Sequence, residues 1–163
     1  MPDIVQIPPY QIEFEGEVCN SDGTQTWFYL LTLIDELGQG DFLSNWALVL
    51  CPDPLQIVDP AKATSPDPIN IQAVVGQGQP CLGGASNPNT VKWNTLNKNA
   101  QFVGLYSFTI KNGCFERTDV QVAIHTGNGC QPPSGPLLIT GPSCTRRVVP
   151  PPVSRGFRLM RFN

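Results

Sequence analysis

Thr26–Ile34 reads TWFYLLTLI, and the conformation of these nine residues decides the fold. The stretch is apolar on both faces and long enough for a strand or a short helix. Thr26, Thr32 and the aromatics Trp27, Phe28 and Tyr29 favour the strand, because β-branched and aromatic side chains fit a pleated surface. A strand that is apolar on both faces belongs in the middle of a sheet. Outward from it, Gln11–Val18 alternates, with Ile12, Phe14 and Gly16 on one face and Glu13, Glu15 and Glu17 on the other. A turn at Asn20-Ser-Asp-Gly23 joins the two segments. Downstream, Asn45–Cys51 (NWALVLC) reads as a second core strand, stopped by Pro52-Asp-Pro54.

The rest of the chain keeps this pattern. Gln101–Lys111 alternates over its whole length, with Phe102, Gly104, Tyr106, Phe108 and Ile110 on one face. Asn112-Gly113 then supplies a tight turn. Leu55–Val58, Ile69–Val75, Val91–Trp93, Asp119–His125 and Leu137–Thr140 are further short strands. The 17 prolines and 15 glycines leave few runs long enough for an ordinary helix. No run approaches the roughly 20 apolar residues that cross a bilayer, so no membrane span is expected. The predicted fold is all-β, an antiparallel, jelly-roll-like β-sandwich, in a chain of 163 residues that can bury one core. The expected layout is an N-terminal arm over 1–10, the sandwich over 11–145 and a proline-linked tail over 146–163.

Charge is distributed unevenly. Residues 1–145 carry five basic and thirteen acidic side chains, a net −8, while 146–163 carry five arginines and no acid. Within that tail, Pro150–Pro152 precede an alternating segment, Gly156–Phe162. Phe157, Leu159 and Arg161 lie on one face, Arg158 and Met160 on the other, and Phe162 closes the segment. At about 3.1 Å per residue, an extended Val148–Gly156 linker reaches on the order of 25 Å. An arginine-bearing strand on an acidic body is suited to pairing with an acidic, sheet-like surface. The expected assembly interface sets Phe157, Arg158, Leu159, Met160, Arg161 and Phe162 against Ile12, Glu13, Phe14, Glu15 and Glu17 of another copy. Folding back onto the same molecule and disorder are the alternatives. Met1–Tyr10, with Ile4, Val5 and Ile7 between prolines, either docks on a neighbour or lies over the sandwich.

Six cysteines, Cys19, Cys51, Cys81, Cys114, Cys130 and Cys144, are widely spaced, with no CxxC pair and a single histidine. Disulfides fit better than zinc, and six cysteines allow fifteen internal pairings. The bridges imply an oxidising environment. Met1-Pro-Asp-Ile has neither the basic nor the apolar region of a leader. A leader already removed is one expectation. The other is synthesis in a cytoplasm with later oxidation, as at a spore surface after the mother cell lyses.

No catalytic pattern emerges. His125 ends a strand and has no GxSxG-type nucleophile to serve, so the chain is not expected to be an enzyme. Asp53, Asp59 and Asp67 lack calcium-loop spacing. Gly76-Gln-Gly-Gln-Pro80 lacks the lysine of a phosphate loop. No cofactor and no metal are expected. Trp27, Trp46 and Trp93 sit in apolar strands and read as core, with glycan stacking as the alternative. The acidic body makes nucleic acid an unsuitable partner.

Four segments carry a resemblance: Ser44-Asn-Trp46 leading to Cys51, Val91-Lys-Trp93, the Phe102–Ile110 alternation, and Ile139-Thr-Gly-Pro-Ser-Cys144. Together they resemble a domain of bacterial surface and spore-associated proteins, and the architecture is similar to the subunits of endospore appendage fibres. Those subunits are small β-sandwiches joined by terminal extensions and disulfides. The chain departs from them in having no cysteine before Cys19. The resemblance implies that the Gly-Pro-Ser-Cys strand closes the sandwich, with Cys51 and Cys144 as partners. Cys114 and Cys130 flank the 119–125 strand and would bridge only if the chain folds back there. The expected function is a structural subunit of an extracellular or spore-surface fibre or coat. Its partners would be copies of itself or other surface and coat proteins. The alternative is a monomeric secreted adhesion or glycan-binding module.

Overall fold

A computed structural model describes residues 1–51 and 54–148, and within it the side chains of Pro54 and Leu55 are not described. The chain folds as two packed antiparallel sheets. The first holds β1 (Ile4–Ile7), β2 (Tyr10–Cys19), β3 (Gln25–Leu33), β8 (Gly104–Ile110) and β5 (Val58–Thr64), in that order. The second runs β9 (Phe115–Thr126), β4 (Leu43–Val49), β7 (Thr90–Thr95), β6 (Ile71–Val75). β10 (Gly129–Gln131) and β11 (Leu137–Arg146) both pair with β9 on its far side.

Strand order refines the jelly-roll part of the expectation. Constant-type immunoglobulin sandwiches run ABED in one sheet and CFG in the other. Here β2-β3-β8-β5 follows the first order, and β4-β9-β11 follows the second. The β6–β7 hairpin extends the second sheet beyond β4.

Thr26–Ile34 lies within and just beyond β3, which pairs with β2 on one side and β8 on the other. Its inner face, Gln25, Trp27, Tyr29 and Leu31, is fully covered, while Thr26, Phe28, Leu30 and Thr32 are half-buried. The core is aromatic. Trp46 stacks on Trp93 with ring centroids 4.5 Å apart, and Tyr106 meets both edge-on. Trp27, Trp46 and Trp93 are all completely buried, so none offers a face to a glycan.

Several expected elements shift. Leu55–Ile57 belongs to a single helical turn, Pro54–Ile57, and the strand begins only at Val58. Asn112-Gly113 makes a tight turn, with φ of 69° at Asn112, but it carries the chain from one sheet to the other instead of closing a hairpin. β9 starts at Phe115, four residues earlier than expected. The N-terminal arm is β1, an edge strand antiparallel to β2, with Val5, Ile7 and Tyr10 buried. It lies over its own sandwich.

Three disulfides join the six cysteines: Cys19–Cys114, Cys51–Cys144 and Cys81–Cys130. The Cys51–Cys144 partnership implied by the resemblance is present. Cys114 and Cys130 do not bridge to each other, because β9 runs straight between them and sends its two ends to different neighbours. The Cys81–Cys130 bridge pins the short turns Pro80–Leu82 and Gly84–Ser86 over the outer face of the second sheet, where Leu82 packs on Ala47 and Ala123. Gly141, in the Gly-Pro-Ser-Cys strand, lies flat against Val120. A Cβ there would stand 2.5 Å from a Val120 methyl, so the position has room only for glycine.

Candidate assembly surfaces

The sandwich has two lateral seams, where the edge of one sheet meets the edge of the other. The seam between β2 and the β9–β11 edge is closed by several independent devices. The first begins with a bulge. β2 pairs regularly with β3 up to Phe14↔Tyr29, then skips a residue, so that Gly16 faces Phe28 and Glu17 faces Trp27. Gly16 takes a φ of 135° at the bulge, a conformation that favours glycine. One extra residue reverses the alternation, so Glu17 leaves the face of Glu13 and joins that of Trp27.

Its side chain is then only 3% exposed, 2.8 Å from the Arg117 guanidinium and in contact with that of Arg147. Burial pushes the Glu17 carboxyl up, but hydrogen bonds and charge from Arg117 and Arg147 outweigh it and hold the group below the usual carboxylate range. Arg117 also lies over the Phe14 ring, 5.2 Å from its centroid.

Further links close the same seam. Gln25, completely buried, donates to the Phe115 carbonyl (3.1 Å) and accepts from the Phe115 N–H (2.8 Å), joining β3 to β9 like a short piece of sheet. The buried Tyr29 hydroxyl donates to the Thr140 carbonyl at 3.0 Å, and burial keeps that phenol protonated. Thr140 in turn donates its N–H and its hydroxyl to the Pro2 carbonyl. The Cys19–Cys114 bridge completes the set.

The expected acceptor residues are therefore engaged within their own molecule. Ile12 and Phe14 are core, and Glu13 pairs with Leu30 on one side and Ile4 on the other. Glu17 is held by two arginines, and of these residues Glu15 alone is exposed. β1 occupies the edge that an incoming strand would need along Tyr10–Glu13. The tail's charge is also partly used: Arg146 lies over the Phe115 ring and Arg147 binds Glu17. The expected donor residues Phe157, Arg158, Leu159, Met160, Arg161 and Phe162 lie outside the described residues, as does Asp53.

The opposite seam, between β5 and β6, holds a trough of about 610 Å³ lined by residues including Ala61, Ala63, Thr64, Ile71, Ala73 and Leu96. Small side chains keep it open. β5 pairs with β8 only at Val58, Asp59 and Thr64, so Pro60–Ala63 bow away from the sheet. Trp93 Nε1 donates to the Thr64 carbonyl at 3.0 Å and fixes the trough floor. Apolar residues stand exposed nearby, with Leu96 60% and Ile69 84% accessible. Nothing in the sequence pattern marked this trough, since half of its lining is alanine, serine and threonine from a stretch rich in prolines.

Other residues singled out by sequence lie apart. Asp59 accepts from the Ala61 N–H. Asp67 accepts from Asn70 and from the Gln101 N–H, and these bonds, led by the Asn70 side chain, hold its carboxyl below the usual range. His125 is half-buried on β9, opposite Asn45 and Cys130. Among the described residues, no helix is long and apolar enough to cross a membrane.

No protein-family model, curated protein or solved structure matches the chain. All six cysteines are bridged, which assigns the folded protein to an oxidising, non-cytoplasmic environment.

Proposed function

We propose that this chain is a structural subunit, a disulfide-stapled β-sandwich that joins copies of itself head to tail through its C-terminal segment into an extracellular or spore-surface fibre or coat. The observation that carries this proposal is the asymmetry of the seams. β11 delivers the C-terminal segment from the closed seam, where Arg147 and Cys114 anchor its root. Fifteen further residues, 149–163, follow, bearing three arginines and the alternating Gly156–Phe162 stretch. A C-terminal segment that continues from one side of a subunit, with an open seam on the other, would make a heterologous contact, and such contacts build filaments unless the rotation closes a ring.

The resemblance of Ser44–Trp46 leading to Cys51, Val91–Trp93, the Phe102–Ile110 alternation and Ile139–Cys144 to a domain of bacterial surface and spore-associated proteins supports the same reading. Burial of all three tryptophans removes the stacking surface that favoured a glycan-binding module. Negative-stain electron microscopy of the purified, oxidised chain tests the proposal. Regular fibres or sheets are the expected result. Dispersed single sandwiches at every concentration would overturn it.

A further inference from the structure

We infer that the β5–β6 trough is the acceptor site for residues 156–162 of a second copy of this chain, which would add a strand along the free edge of β6. This inference rests on the assembly proposed above and names the surface that receives the tail.

The backbone of β6 supplies the first argument. Antiparallel ladders alternate, so every second residue turns its N–H and C=O toward one neighbour. Asn70 accepts from Leu96, and Gly76 donates to Thr90, so residues 70, 72, 74 and 76 turn toward β7. Ile71 turns the other way: its N–H donates to the Asp67 carbonyl and its C=O accepts from the Ser65 hydroxyl. Ala73 and Val75 share that orientation. Among the described residues β6 pairs with β7 alone, so the N–H and C=O of Ala73, a lining residue, and of Val75 beyond it, 8% exposed, have no strand partner on that side. A row of this kind is a template for strand addition.

The facing edge is unsuitable as a template. β5 carries Pro60, which has no N–H, and Lys62, and it bows between Asp59 and Thr64. These features blunt an edge, so they direct an added strand to β6 and leave β5 as the opposite wall.

Side-chain shape and charge give the second argument. Ala61, Ala63 and Ala73 make the walls small, whereas Gly156–Phe162 alternates large apolar residues with arginine. With Phe157 and Leu159 turned into the trough, Arg158 faces solvent and Arg161 comes to the rim. Asp59 accepts from the N–H of Ala61, and Asp67 directly precedes Pro68; Ala61 and Pro68 both line the trough. The nearby Lys62 is already paired with Asp22 at 3.7 Å. The rim is therefore acidic, which suits an arginine-bearing segment and disfavours an acidic one. The trough and the root of the tail at Arg147 lie on opposite seams, so occupation by a neighbour's tail propagates in one direction.

The test uses the full chain with a photo-reactive benzoyl-phenylalanine at Leu96 on the trough rim. A control carries it at Leu138, exposed on β11. Each is mixed with an excess of 15N-labelled chain lacking the probe, assembled, irradiated, digested and analysed by mass spectrometry. The expected result is that most Leu96 cross-links reach 15N-labelled residues 156–163, with at least a tenfold lower yield from Leu138. Cross-links from Leu96 to the unlabelled tail of the same molecule, to any other segment, or to nothing would overturn the assignment. If microscopy shows fibres while the cross-links lie elsewhere, the acceptor is wrong and assembly stands. If no fibres form, both fall.

Discussion

The two seams of this sandwich are made of different materials. The closed seam is a set of directed, paired interactions: a disulfide, a carboxylate between two arginines, a buried glutamine bonded in register to backbone, and a tyrosine bonded to a carbonyl. The open seam has alanines, a bowed edge strand and unpaired backbone on β6. The disulfide, the ion pairs and the buried Gln25 and Tyr29 bonds that join the sheet edges stand where the C-terminal segment leaves, while the open seam has the Trp93 bond to the Thr64 carbonyl. In the proposed fibre, a subunit pulled by its tail would carry load through β11 into that seam, which is the reinforced one. The side left open is the one with room to receive another chain. Changes at the closed seam should therefore lower stability, and changes at the open seam should alter assembly while sparing stability.

The largest effect is expected from the bridge at the closed seam. Replacing Cys19 and Cys114 together by alanine opens a loop with a sequence separation of 95 residues. Chain entropy for such a loop is about 4–5 kcal/mol, and the loss should be read in the denaturant midpoint of the oxidised protein. A smaller loss, about 2–4 kcal/mol, is expected for Gln25→Leu, because it strands the buried N–H and C=O of Phe115 with no water to replace the amide. If that variant is as stable as the parent, the clamp contributes nothing to joining the sheets.

Acid should weaken the same seam. The Glu17 carboxyl is held below its usual range in the folded chain, so its contribution is present above the unfolded value, about 4.3, and is lost as pH falls through the folded one. The urea midpoint of the parent should therefore fall on acidification from about pH 6 to about pH 3, and Glu17→Gln should reduce that slope. Equal slopes in the two proteins would mean that other carboxylates govern the acid limb. The smallest stability effect belongs to the open seam. Gln72→Lys and Leu96→Asn should each change it by no more than about 0.5 kcal/mol, as is usual for exposed positions. A larger loss would show that the trough is part of the fold's own packing.

What the sequence made legible follows from which physics is local. Alternation along Gln11–Phe14 and the two apolar faces of Thr26–Ile34 are properties of single strands, and they survive in the buried face of β2 and the central place of β3, whereas the alternation read along Phe102–Ile110 does not show in β8, where Tyr106–Ile110 are buried on both faces. Glu17 was misplaced because a bulge at Gly16 breaks the period, and a lone glycine in a strand does not announce whether it will do so. Asn112-Gly113 has the residues of a hairpin turn, but whether the next strand returns to the same sheet is settled by tertiary packing. Gln25 carries no signal at all, since its partner lies 90 residues away. The trough was equally hidden, because an opening between two edges is defined by what neither strand fills.

The most direct measurement compares the full chain with a chain ending at Val148, by size-exclusion chromatography with light scattering under oxidising conditions. The shortened chain keeps every described strand and the anchored root at Arg147. It should elute as a single sandwich, while the full chain forms particles many subunits long. Equal mass for the two proteins, whether both monomeric or both polymeric, would contradict assembly through the C-terminal segment.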